Sequence, residues 1–463
     1  MKDLLQSIAS MSPAFLELRY HRRVHNLFSV QKGRVEEASH RTRAGVGVRA
    51  LVDGAWGFAS TSTPERAAIR NAVEQAIESA RALARAGARK VEPLPATELA
   101  SADHVGEGYE ELLALSIGDK LSRTVELEKA TLAASSRVHT AAARYTEVFE
   151  EKTIVTTDGA AASYRLVRPE VSVRAFAEKD GSQVVCANAV GVTGGWQCLF
   201  HHPNAVAITE RTAARAVELL DAPHVQGGVK TVILAPSIVG LLTHEAIGHT
   251  VEADLVLAGS VANGKIGERV ASELVTLCDS GHSEHAVGAG GSLPFDDEGV
   301  PTRRVEIIRD GRLVSYLHNR ESAAHFGVAP TGNGRAWEYS DEPLIRMRNT
   351  YIEPGTTTLE EMIASTEDGY LLDNPSSGQA DSTGEFMFGA GEAWEIKNGK
   401  LGKLHREVTL SGMAFEVLGS VDAVSSEFRW DLGSGHCGKG QLAKVDAGGP
   451  YLRCKLMLGG VQG

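Results

Sequence analysis

The chain has 463 residues, with 47 lysines and arginines against 59 aspartates and glutamates, and the resulting net charge of −12 argues against a nucleic-acid-binding surface. Hydrophobic residues at 43% and charged residues at 23% are the balance of a soluble globular protein, long enough for two or three domains. No apolar run approaches the roughly 18 residues that would suggest a membrane span, and five cysteines without framework spacing fit a reducing cytoplasm better than a disulfide scaffold.

The N-terminal stretch breaks its apolar character at Gln6, Ser7 and Glu17, so no secretory signal is expected and the cytoplasm is the expected compartment. Phe15 to Arg19 and Leu27 to Val30 alternate like strands. Gly45 to Ala50 and Trp56 to Ser60 predict a hairpin turned by Asp53-Gly54, a dipeptide suited to a type I′ turn. Ser62-Thr63-Pro64-Glu65 reads as a helix start with a capping hydroxyl, and Ile69, Val73, Ala76, Ile77, Ala80 and Leu83 keep a helical period behind it. Val91 to Val105 reads as a linker. A helix near Ile117 to Ala134 comes next, then strands around Val138–Thr146, Thr153–Thr156, Ala162–Val167 and Val171–Ala177, then a helix over about Ala205 to Leu220. His201 and His202 are adjacent and on a strand would point to opposite faces, so they are not a chelating pair. Cys186 and Cys198 read as packing thiols.

The fold class expected is α+β. An N-terminal region, 1–224, of antiparallel strands and helices (divisible near 91–110) precedes a β-rich C-terminal domain, 225–463, that carries a metal-binding helix. In this second part Thr231 to Leu234 is a short buried strand, and Pro236 sits where the first turn of a helix accepts it. Lys265 to Leu277 reads as a further strand region. The glycine-rich Gly288 to Ser292 lacks the Gly-Lys-Ser/Thr ending of a phosphate loop. Asp296-Asp297-Glu298-Gly299 lacks the ligand alternation of a calcium loop and reads as a solvated turn. Asp310-Gly311 and Asn398-Gly399 mark hairpins.

The helix after Pro236 carries Thr243-His244-Glu245-Ala246-Ile247-Gly248-His249-Thr250-Val251-Glu252. Zinc-peptidase helices usually place two histidines four apart, on one face. Here they are five apart, which on a regular helix separates them by roughly 140° around the axis. A π-bulge absorbing one residue would bring them together, and Gly248 would ease the distortion. Glu245 and Glu252 project between the two, so an acid is available either way. A catalytic zinc takes three protein ligands. The candidates for the third are His405, Cys454 and Cys437, with His436 beside the last.

The segment Leu242 to Asp254 resembles the signature of the TldD/PmbA family, on its TldD side. Gly45 to Ala59, Asp296 to Thr302, Val328 to Arg335, Met347 to Thr350 and Ile363 to Ser365 are similar to family stretches as well, so the likeness spans nearly the whole chain. The resemblance implies a metal-bearing subunit whose usual partner is a metal-free PmbA (TldE) type chain, with a homodimer as the other arrangement. It implies that Cys437, followed by Gly438-Lys439, joins His244 and His249 as the ligands of Zn2+. With that ion, Glu245 is the expected general base of a metallopeptidase acting on small or unfolded peptides, which strand addition could hold in extended form. Thr331 to Arg335 becomes a candidate lining of the substrate channel. Two other readings stand beside this one: a hydrolase tailoring a peptide-like natural product, and a non-catalytic assembly subunit, against which the intact His244, Glu245, His249 and Cys437 argue.

Overall fold

The computed structural model describes residues 1–88 and 90–460 and is a mixed α+β protein whose C-terminal part is β-rich. Its first sheet is built mainly from long antiparallel strands and comprises β1 (Phe15–Gln31), β2 (Arg34–Val52), β3 (Ala55–Thr61), β4 (Asp103–Val105), β5 (Val138–Thr156), β6 (Ala161–Lys179) and β7 (Ser182–Gly191). The order is β3-β2-β1-β5-β6-β4, with β7 also on β6. Asp53 and Gly54 both adopt positive φ, 53° and 80°, as a type I′ turn demands.

Several segments expected as separate strands are single ones. β1 runs through Arg19, His21 and Arg23, where the apolar alternation fails, because the charges there are buried against partners: His21 Nε2 lies 3.0 Å from Glu150 Oε1. β5 and β6 are likewise continuous. The helix Arg66–Arg85 buries Ile69, Val73, Ala76 and Ala80 but leaves Leu83 exposed. Its N-cap is Glu65, with no side-chain cap, so the predicted capping hydroxyl is not used. Helices Ile117–Ala133 and Ile208–Leu219 pack on the same sheet. The linker expected over 91–105 is irregular until its last three residues, which form β4 in parallel with β6.

In the C-terminal part, strand β8 (Gly228–Leu234) lies between Asp368–Ala380 on one side and Leu452–Gly459 on the other. Strands Glu385–Lys397 and Lys400–Met413 extend this sheet, and the last of them pairs back onto Leu452–Gly459. The five strands thereby close into a ring. A second six-stranded sheet contains Leu277–Ser280, Asn349–Ile352 and Asp446–Gly449. Of the strand region expected over 265–277 only Leu277 is in a strand. Gly264 and Gly267 have φ of +75° and +88°, and the segment makes only an isolated bridge, Arg269 with Arg312.

The acidic turn is a correction. Asp296, Asp297 and Glu298 are buried, not solvated. Lys152 Nζ lies 2.8 Å from Asp297 Oδ1, and Arg49 Nη1 lies 3.0 Å from Glu298 Oε1 and 3.3 Å from Glu17 Oε2. Asp296 accepts from the amides of Glu298, Val300 and Gly334. Buried carboxylates persist only with such partners. Here they tie the first sheet to the C-terminal part.

Candidate metal centre

Strand β8 ends at Leu234, and helix Pro236–Leu241 starts with Pro236 in its first turn. The helix then widens: Leu242–Gly248 is π-helical, and His249–Val251 continues as a 3₁₀ turn. The extra residue per turn is what the five-residue spacing requires. The amide of His249 donates to the carbonyl of His244, and the two imidazoles meet edge to face with ring centroids 5.4 Å apart. Gly248 matters for space: a Cβ there would lie 1.9 Å from the buried Met347 Sδ. Its φ of −54° is ordinary, so the conformational ease expected of it is not what the position uses. Ala246, Ile247 and Val251 anchor the segment in the main core.

Cys437 comes from the far end of the chain, on the short strand His436–Gly438. One ligand atom each from His244, His249 and Cys437 lie within 4.8 Å of one another, and Cys437 Sγ is 3.0 Å from His249 Nε2. Both ring nitrogens of His244 are buried without a hydrogen bond of ordinary geometry. Burial raises a thiol, but the adjacent His244 and His249 outweigh it and bring Cys437 down to about 5. Burial also opposes a charged imidazole at His249, yet its bonds to Cys437 and Glu252 lift it to about 10. Two imidazole nitrogens and a thiolate form a donor set suited to zinc, and the orphaned nitrogens of His244 are the mark of side chains arranged for something other than each other.

The other expected candidates lie elsewhere. His436 points away from Cys437, with its ring against Trp337 at 5.5 Å. His405 packs against Tyr370, and Cys454 is a buried thiol pushed up to about 12 by burial. Glu245 is partly exposed and sits 3.8 Å from His249 Nε2, the nitrogen that faces the cluster.

Glu252 is buried and aimed at the back of the site. Its Oε2 lies 3.0 Å from His249 Nδ1 and accepts from Lys439 Nζ at 3.0 Å. A carboxylate only accepts, so Nδ1 carries a proton and Nε2 is the nitrogen left to face the cluster. His249 and Lys439 hold this carboxyl below its usual range in spite of burial, the largest opposing effect. Lys439 also bonds Asp254 and the Ile345 carbonyl, and Arg346 Nη2 donates to the Cys437 carbonyl at 2.7 Å. The sequence offers Glu252 as an available acid but not as the residue that orients His249. Nothing in the sequence marks Arg346, since its partners are backbone carbonyls. Arg335 is buried as well, donating to the carbonyls of Met347 and Lys444.

Profiles described as PmbA/TldA metallopeptidase domain 1, central domain and C-terminal domain match residues 16–80, 110–220 and 210–460. The chain belongs to the PmbA/TldD family. A metalloprotease of Methanothermobacter thermautotrophicus is 32% identical over 93% of this chain and 92% of its own. A metalloprotease TldD homolog of Haemophilus influenzae is 32% identical over 92% and 88%, and a zinc metalloprotease TldD homolog of Saccharolobus solfataricus 28% identical over 99% and 100%. The crystal structure of TldE from Thermococcus kodakarensis shares the fold at a TM-score of 0.79, with 20% identity over 99% of both chains. A putative modulator of a DNA gyrase from Thermotoga maritima does so at 0.80, with 21% identity and the same coverage. Among the described residues no helix is long and apolar enough to cross a membrane.

Proposed function

We propose that this family member is a zinc-dependent peptidase that hydrolyses amide bonds in small or unfolded peptides. The observation that carries the reading is the convergence of His244, His249 and Cys437 on one point, with His244 otherwise unpartnered. In this reading the three side chains hold the ion, Glu252 fixes the tautomer of His249, and Lys439 ties that carboxylate to the Cys437 loop. A bound zinc supplies Lewis acidity toward a carbonyl and lowers the pKa of water toward about 7 in favourable cases. Glu245 stands at the accessible side, beside the cluster-facing nitrogen of His249, where a carboxylate can accept a proton from water and return it to a leaving amine. The thiolate donates more charge than an imidazole and makes the ion a milder Lewis acid. The family and its TldE-like relatives support pairing with a PmbA/TldE-type subunit.

The deciding experiment is metal analysis of the purified chain beside Cys437→Ser, followed by peptide cleavage with and without a PmbA-type partner. About one zinc per chain, largely lost in the variant, with zinc-dependent cleavage by the parent, is expected. Full zinc retention by Cys437→Ser rules out this ligand set, and a zinc-loaded protein that cleaves no peptide with any partner rules out the peptidase.

A further inference from the structure

On one face of the first sheet, away from the metal cluster, Arg23 and Arg43 are direct register partners on β1 and β2, and Arg41 faces His25 one step along. Like charges placed opposite one another cost stability, so the fold alone does not call for this arrangement. Above it lies a cleft of about 730 Å³ that Trp337 and His436 help to line, and a smaller hollow of about 30 Å³ shares Arg23, Trp337 and His436 and reaches inward to Arg335. Together the two are lined by seven lysines and arginines but only three glutamates, in a chain whose net charge is −12.

The three glutamates are taken. Glu338 pairs with Arg43, Glu170 with Lys444 and Glu150 with Arg168, while Lys152 turns to Asp297. Among the described residues no carboxylate forms an ion pair with Arg23, Arg41 or Arg335. Arg335 is satisfied by two backbone carbonyls. Arg23 lies flat on Trp337, 3.5 Å from the ring centroid, and makes a 3.4 Å bond to the Trp337 carbonyl. Arg41 is exposed at the rim. Two guanidiniums therefore face an open cleft without a counter-charge, one of them held rigid by an aromatic ring, a geometry that favours forked binding of a carboxylate.

We propose that this cleft binds a carboxylate of an extended peptide, carried on an acidic side chain or at the C-terminus. The proposal rests on the peptidase reading for the peptide and on the unpaired arginines for the charge. His436 lines the cleft and is followed directly by Cys437, so the strand His436–Gly438 separates the carboxylate site from the metal cluster by its own thickness. A substrate bound at both places has its charge selected on one side of that strand and its amide bond presented on the other.

The test is equilibrium binding of fluorescent unstructured peptides to the zinc-loaded Glu245→Ala chain, which cannot consume them. The probes are a neutral amidated peptide, the same peptide with glutamates, and the neutral peptide with a free C-terminus. The glutamate peptide is expected to bind about tenfold more tightly than the neutral one. The preference should fade as salt shortens the Debye length from about 10 to about 3 Å. The free C-terminus shows whether a terminal carboxylate suffices. Arg41→Glu, at an exposed position, and Arg23→Gln should each remove the preference. Equal affinities for acidic and neutral peptides, or a preference untouched by both substitutions, overturn the proposal. Hydrolysis of the neutral peptide by the unsubstituted chain is scored separately. Charge preference without hydrolysis sinks the peptidase and keeps the cleft, hydrolysis without preference does the reverse, and no binding of any peptide overturns both.

Discussion

The amide of His249 hydrogen-bonds to the carbonyl of His244, five residues back, so one backbone bond both defines the widened turn and brings two imidazoles together edge to face. A regular helix would bond His249 to Glu245 and turn the rings apart. The meeting of the two histidines is thus written into the backbone before Cys437 arrives.

That dependence makes Gly248 a sensitive position. Gly248→Ala places a methyl against Met347, which is fully buried, and overpacking of this kind costs about 1–3 kcal/mol. A lower Tm together with weaker zinc retention is expected, and adding Met347→Ala should restore part of the retention by making room. Unchanged zinc affinity in Gly248→Ala would show that the widened turn tolerates the methyl.

Glu245→Ala separates binding from chemistry. Glu245 approaches His249 Nε2 only to 3.8 Å, beyond hydrogen-bond distance, so zinc content should stay at the parent level while peptide hydrolysis falls roughly 10²–10⁴-fold. A fully active variant ends its assignment as the base.

Glu252 and Lys439 test the opposite side of the site. Glu252→Gln loses the anionic acceptor at His249 Nδ1, and Lys439→Met removes the cation that steadies Glu252. Substitution of such supporting groups typically weakens metal binding 10–100-fold. Chelator competition reads this directly, and an affinity unchanged in both variants would leave the pair with a purely structural role.

Stability should carry a pH signature from Glu17. Burial, only partly offset by Arg49, raises its carboxyl from 4.5 to about 7. Between those values the folded chain keeps a proton that the unfolded chain has released, so this group's contribution is intact below the unfolded value and is lost as pH rises through about 7. Glu17→Gln cannot ionise. Relative to the parent it should gain on the order of 1–3 kcal/mol between about pH 5 and pH 8. Denaturant titrations that stay parallel over that range would contradict the assignment.

Much of the candidate site was legible because the side chains that meet there sit in short, unusual segments. A five-residue histidine spacing is incompatible with a regular helix, and the distortion it implies is the one observed. The three hairpin dipeptides, Asp53-Gly54, Asp310-Gly311 and Asn398-Gly399, carry positive φ at both residues as their chemistry dictates. What escaped depends on distant partners. Asp297 and Glu298 read as surface residues because Lys152 and Arg49 lie far off in sequence. β1 seemed broken because its buried face is charged where it meets Glu150, a contact that no local pattern announces. The orienting role of Glu252 needed the loop of Lys439 to be brought beside it.

The closed ring of strands limits how this protein can be approached. β8, which launches the helix of His244 and His249, has a neighbour along each edge, and the return pairing of Lys400–Met413 onto Leu452–Gly459 seals the circuit. Neither a substrate nor a partner can add a strand beside β8 without first tearing out one that is already there. Visitors in extended form must use edges elsewhere, such as β3, β4 or β7 of the first sheet or the ends of the second six-stranded sheet. The helix that carries His244 and His249 thus starts from a strand whose edges are already occupied.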